Sequence, residues 1–307
     1  MNISRELSMK KLVHSALNIV THPHSPENYL KLFSAAQKLE IPVRVRGEQY
    51  GSIIHVSKLD KDQKLSPILG EIVKYTNIDK HSDWYDLVSK DVASEEDQLK
   101  IKQLPDHLKP NMARFSFIFF PDTHLMVFET YCDSKTLSIN YAQKIVHDTL
   151  NNPLLLDKFG EVNVTVIPQT DQIDELLNLT GLKTLRMVTN RPNPDDLAHV
   201  EGRVKERLAN MNAISEERII KASRDEELLL DEVLKLEAKV AAKNGEVELK
   251  RYNHEGRKEE YNTKEHPYTE TSFYNPKPSS HFHELVRVGQ ALLLFLPHEL
   301  NHLDLGD

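Results

Sequence analysis

The chain has 307 residues, enough for one large or two medium domains with cores of their own. Its 39% hydrophobic and 28% charged content excludes an extended disordered protein. A net charge of −8 argues against a surface that coats nucleic acid all round, although a local basic face depends on where Lys and Arg cluster. The single cysteine, Cys132, excludes an internal disulfide and fits a cytoplasmic, reducing setting; it follows a strand and reads as a buried structural thiol rather than a nucleophile.

Leu12 to Thr21 reads as a first strand. Ser25, Pro26 and Glu27 open a helix whose Tyr29, Leu32, Phe33, Ala36 and Leu39 form an apolar stripe at helical spacing. Ile41 to Arg46 and Ser52 to Leu59 read as paired strands about a turn bracketed by Gly47 and Gly51, with Arg44 and Arg46 alternating with Val43 and Val45 on one shared face. A mixed region and the proline-bounded linker Leu104 to Asn111 lead into Phe115 to Tyr131. There, two runs of aromatic and β-branched residues flank the turn cluster Pro121-Asp122-Thr123-His124, which predicts a β-hairpin. The first run is apolar at nearly every position, as expected of a central strand covered on both faces.

Leu137 to Leu150 is amphipathic, Glu161 to Ile167 alternates valines, Ile173 to Leu179 makes a short helix, and Leu182 to Thr189 is a strand carrying Lys183 and Arg186 opposite Leu182. This rhythm predicts an α+β domain over residues 1–190, a mixed or antiparallel sheet with flanking helices. Beyond Asn190-Arg-Pro-Asn-Pro194 the composition shifts to a long charged helical stretch from Asp195 to Lys243, broken near Ala213 to Arg218 and ended by Asn244-Gly245. A polar hairpin about Asn253 to Gly256 and a last helix from about His281 to Leu296 complete a second domain, residues 191–307. The apolar run Ala291 to Pro297 is far short of the roughly 20 residues that span a bilayer, and no targeting signal is visible at the N-terminus.

Chemistry-bearing patterns are sparse. His298-Glu-Leu-Asn-His302 matches the H-E-x-x-H zinc pattern, but Pro297 precedes it and no third ligand follows before Asp307, so zinc protease chemistry is not expected. The pairs His22/His24 and His281/His283 have chelating spacing without cysteine partners and read as surface or capping residues. Asp122, Glu129 and Asp133 around the central hairpin are the basis of an alternative reading as a metal-dependent nuclease, although no lysine follows Glu129 in the strand. No Gly-rich phosphate loop occurs, and no cofactor is expected. Between Lys183 and Arg224, nine Lys or Arg stand against six Asp or Glu, a balance of +3 inside an acidic chain. That stretch is either a solvated face laced by i,i+4 pairs such as Glu217 with Lys221, or a surface for phosphates.

Several stretches carry a family resemblance: Ala16 to Pro23, Val45-Arg-Gly-Glu-Gln-Tyr-Gly-Ser-Ile-Ile54, Leu104 to Asn111, Phe117 to Glu129, and the strands at Val162 to Pro168 and Leu182 to Val188. In order and content they resemble the RexA phage-exclusion family and related bacterial proteins. The resemblance implies an RdgC-like fold and a non-enzymatic homodimer that binds double-stranded DNA without strong sequence preference in phage defence. Kiwa-type systems, similar in the size of their DNA-binding protein, imply a membrane-protein partner as well. The residues expected to meet DNA are Arg44, Arg46, Lys183, Arg186, Arg203, Arg207, Arg218 and Lys221. A third reading is a protein-interaction module without DNA contact, its charged helix serving as the partner surface.

Overall fold

A computed structural model describes residues 9–22, 25–192 and 199–300, with side chains for all of these except 170–172, 199 and 295–300. In chain order the first half runs β1 (Lys10–His22), α1 (Pro26–Ala36), β2 (Val43–Arg46), β3 (Gln49–Lys58), β4 (Ile68–Thr76), β5 (Tyr85–Asp86), β6 (Asp91–Val92), α2 (Glu95–Lys102), β7 (Ala113–Phe120), β8 (Leu125–Cys132) and β9 (Lys135–Thr136). The second half runs α3 (Ile139–Leu150), α4 (Pro153–Phe159), β10 (Glu161–Val166), α5 (Thr170–Leu177), β11 (Leu182–Asn190), α6 (His199–Asn210), β12 (Ser215–Lys221), α7 (Glu232–Asn244), β13 (Gly245–Tyr252), β14 (Lys258–Asn262), β15 (Glu270–Tyr274) and α8 (His281–Leu300). The fold is α+β.

The larger sheet has the order β10-β1-β8-β7-β4-β3-β2, with β15 beside the first half of β1 and β9 beside the end of β8. Its centre is the hairpin β7–β8, in which Phe117 stands opposite Phe128 and Phe119 opposite Met126. Alternation sends Phe115, Phe117, Phe119, Met126 and Phe128 to one face, where Tyr29, Leu32 and Phe33 of α1 and Ala142, Ile145 and Val146 of α3 cover them. Ile118, Phe120, Leu125 and Val127 take the other face, under Leu285, Val288 and Leu292 of α8. Helices on both faces explain why the hairpin sequence is apolar almost without interruption. Each fully buried phenylalanine contributes about 2–3 kcal/mol of burial free energy, so this hairpin anchors the core.

The smaller sheet, β12-β11-β13-β14, buries Leu185, Met187, Val247 and Leu249 against Ala238, Ala241 and Ala242 of α7 and Ile173 and Leu177 of α5. Two expectations change here. The charged stretch expected to be one broken helix is α6 and α7 with a strand, β12, between them. Ser215 to Lys221 alternates exposed and half-buried side chains along β11, and the β-branched Ile219 and Ile220 suit that pleat. The boundary expected near residue 190 falls between β11 and β12, which are hydrogen-bonded neighbours in one sheet. The C-terminal portion also returns to the first sheet, through β15 on β1 and α8 over β7 and β8. A buried chain of polar groups ties the two sheets together: Asn18 of β1 donates to Asn244 at 3.1 Å, and Asn244 donates to Glu201 of α6 at 2.8 Å. Among the described residues, no helix is long and apolar enough to cross a membrane.

Candidate functional site

The eight cations expected to meet phosphate do not form one surface. Arg186 leaves the outer face of the small sheet and is held by Glu217 at 2.5 Å, Glu248 at 3.0 Å and Glu246 at 3.8 Å. Arg218, opposite Met187, leaves the inner face and binds Glu237 of α7. Arg207 of α6 reaches Glu216 through its Nε at 3.1 Å and Glu237 at 3.6 Å. Lys183 donates to the Glu226 carbonyl, Arg203 is exposed on α6, and Lys221 is exposed at the end of β12. Their carboxylate partners raise the pKa of Arg186 and Arg207, as fixed ion pairs do. The local excess of +3 is therefore spent mainly on stitching α6, α7 and the small sheet together.

Arg44 and Arg46 lie on β2, the far edge of the other sheet. The register shifts between them, with Arg44 opposite Tyr50 and Arg46 opposite Gln49; both arginines are exposed, while Val43 and Val45 pack against the same core. Arg44 is held by Glu48 at 2.9 Å and the Gly47 carbonyl at 2.6 Å. Arg46 is exposed and makes no ion pair among the described residues; it ends the row Gln49–Thr76.

That row borders a cationic corner that no local signal announced. Gln49, Lys74, Thr76, Asn111, Ser134 and Lys135 line a pocket of about 270 Å³, and no carboxylate is among its lining residues. The Lys74 ammonium donates to the Thr136 carbonyl at 2.6 Å. Burial, and then the like charge of Lys135, lowers the Lys74 pKa. Lys74 belongs to β4 and Lys135 to β9, so only the sheet brings them together. A larger groove of about 660 Å³ beyond the β4 end is lined by both signs of charge, including Asp79, Lys80, Asp106 and Lys109, and has no comparable anion preference.

The acidic set expected for a nuclease does not converge. Asp122 lies in the hairpin turn and Glu129 four extended residues beyond Leu125, roughly 13 Å along β8, while Asp133 pairs with Lys10 at 2.6 Å. Glu129 instead meets His281 and Cys132: one ligand atom from each lies within 4.8 Å of the others. A β-bulge makes this possible. His14 of β1 stands opposite Glu129 and Val13 opposite Tyr131, so Thr130 is an extra residue and Cys132 swings back to the face of Glu129. Glu129, with no exposed surface, accepts from the Ser116 backbone N–H at 2.7 Å and from His281 Nδ1 at 2.7 Å. Burial first, then the charge of Glu129, pushes the Cys132 thiol up to about 12. The imidazole of His281 is raised by its bond to Glu129.

His14 completes the neighbourhood. It is fully buried, and neither ring nitrogen has a hydrogen-bond partner among the described residues. Burial pushes its imidazole down to about 4, and the nearby charges of Arg287 and His281 act in the same direction; the backbone of Glu270 acts the other way. The sequence pairing of His281 with His283 missed this arrangement because the partner of His281 lies 152 residues away. The H-E-x-x-H pattern at His298 to His302 lies outside the described side chains.

No curated protein matches this sequence. Residues 10–290 match the family described as a domain of unknown function, DUF4747. That span holds both sheets, the cationic corner and the Glu129 cluster, and the chain belongs to the DUF4747 family.

Proposed function

We propose that the protein is a non-enzymatic binder of double-stranded DNA that holds phosphates by charge without reading bases, and that it acts as a homodimer in antiviral defence. The cationic corner supports the contact. Lys74 and Lys135 repel one another in a polar pocket with no lining carboxylate, and Arg46 lies at the end of the adjoining row, so an anion relieves the local charge. A phosphate backbone supplies such anions in series. The defence setting rests on the resemblance to the RexA family.

An edge strand supports the dimer. Among the described residues no strand pairs with the outer edge of β12, and Ile219 at its centre is 53% exposed. Antiparallel pairing of two copies about Ile219 sets Glu217 opposite Lys221 on both sides, a self-complementary register.

The test is duplex retention by fluorescence anisotropy, with two unrelated sequences, across a salt series in magnesium. The expected result is equal affinity for both sequences and a steep loss with salt. Reversing Arg46, Lys74 and Lys135 together to Glu lowers affinity at least tenfold with an unchanged circular-dichroism spectrum. Undiminished retention in that variant moves the contact elsewhere. No retention by the wild type at low salt removes DNA as the ligand and leaves the interaction-module reading, whereas nicking of the duplex revives the nuclease.

A further inference from the structure

We propose that Glu129, Cys132 and His281 bind a divalent transition-metal ion, Zn²⁺ by preference, with the ring of His14, which lies outside that converged set, moving in as the fourth donor. The carboxylate, thiol and imidazole come from two elements, the end of β8 and the first turn of α8, and already converge within 4.8 Å. Zinc takes oxygen, sulfur and nitrogen ligands in one tetrahedral shell, whereas magnesium and calcium take oxygen; the mixed donor set therefore selects a borderline metal.

A simple Glu129–His281 ion pair leaves two observations unexplained. The Cys132 thiol is turned onto the same face by the Thr130 bulge, although the pair has no use for it. His14 stands opposite Glu129 with both ring nitrogens buried and unsatisfied, an arrangement that is costly unless a ligand takes one of them. Support around the ligands is also present. The Ser116 N–H fixes one oxygen of Glu129 and leaves the other toward His281. Metal binding displaces the thiol proton of Cys132 to solvent and leaves a thiolate on the ion, with no change of oxidation state. The ion would clamp the start of α8 to β8, the strand at the middle of the sheet.

The site is tested on the full chain, stripped with chelator and titrated with Zn²⁺ alone, then with Co²⁺. The expected result is one ion per chain, a thiolate-to-cobalt charge-transfer band in the near ultraviolet, and a higher melting temperature with Zn²⁺. Cys132→Ser abolishes the band, and Cys132→Ser, His281→Ala and His14→Ala each weaken Zn²⁺ binding at least tenfold. The double variant His298→Ala/His302→Ala retains the ion and the band. Absence of stoichiometric uptake by the folded wild type overturns the site and needs no variant. So does a cobalt spectrum unchanged by Cys132→Ser, or loss of the ion in the His298/His302 variant.

Discussion

His281 and Glu129 meet at 2.7 Å across 152 residues of chain, the imidazole Nδ1–H donating to a carboxylate that has no exposed surface. The contact pins the first turn of α8 to β8, and α8 covers one face of the central hairpin. In metal-free protein, His281→Ala leaves Glu129 buried with only the Ser116 N–H as donor. A fully buried pair broken in this way costs roughly 3–5 kcal/mol. Because the His281 side chain is 39% exposed, the expected loss is about 2 kcal/mol, read from the urea midpoint. An unchanged midpoint would show that Glu129 needs no counter-charge.

Gly245 joins α7 directly to β13 with no loop between them. A Cβ there would lie 2.0 Å from the Val188 carbonyl oxygen and 2.9 Å from its carbon, backbone atoms that cannot rotate away. Gly245→Ala should destabilise by about 3 kcal/mol as β11 and β13 are forced apart. At Gly256, with φ +72° and nothing within 4 Å, alanine carries only the left-handed strain, about 1–2 kcal/mol. Equal losses at the two positions, measured by thermal unfolding, would contradict this ranking.

Glu246 reports on acid stability. Its burial acts to raise the pKa, but bonds from Lys264 and Asn262 and the charge of Arg186 outweigh it, and the carboxyl sits below its ordinary 4.5. A depressed carboxyl contributes stability above its unfolded value, and the contribution disappears as pH falls through the folded one. Glu246→Gln should therefore cost about 1 kcal/mol at pH 7 and flatten the decline of stability below pH 4.5. The check is a comparison of denaturant midpoints at pH 7 and pH 3; a variant with the wild-type slope would refute the linkage.

Ile219→Lys tests the β12 edge. Like charges would meet at the two-fold axis of the proposed pairing, so the variant should run as a monomer at micromolar concentration with an unchanged circular-dichroism spectrum. Sedimentation that still shows a dimer excludes pairing about this residue.

The amino-acid sequence by itself determined the elements whose burial repeats locally. The stripe Tyr29, Leu32, Phe33, Ala36 is the buried face of α1, and the apolar run beginning at Phe115 is the buried strand β7. Both follow from hydrophobic period, which needs only neighbouring residues. Charge sign was equally legible, but charge partnership was not. Arg186, Arg207 and Arg218 looked available for phosphate until β11, α6, β12 and α7 packed and placed Glu216, Glu217, Glu237 and Glu248 within reach. Helix and strand were also indistinguishable at Ser215 to Lys221, because its charges fit i,i+4 pairing as well as an alternating strand; pairing with β11 decided the matter. The cluster of Glu129, Cys132 and His281 lay furthest from sequence view. Strict alternation sends residues 129 and 132 to opposite faces, and only the extra residue Thr130 reverses that parity. A bulge is set by how two strands pair and His281 is delivered by a helix at the other end of the chain, so tertiary packing alone brought those donors to one point.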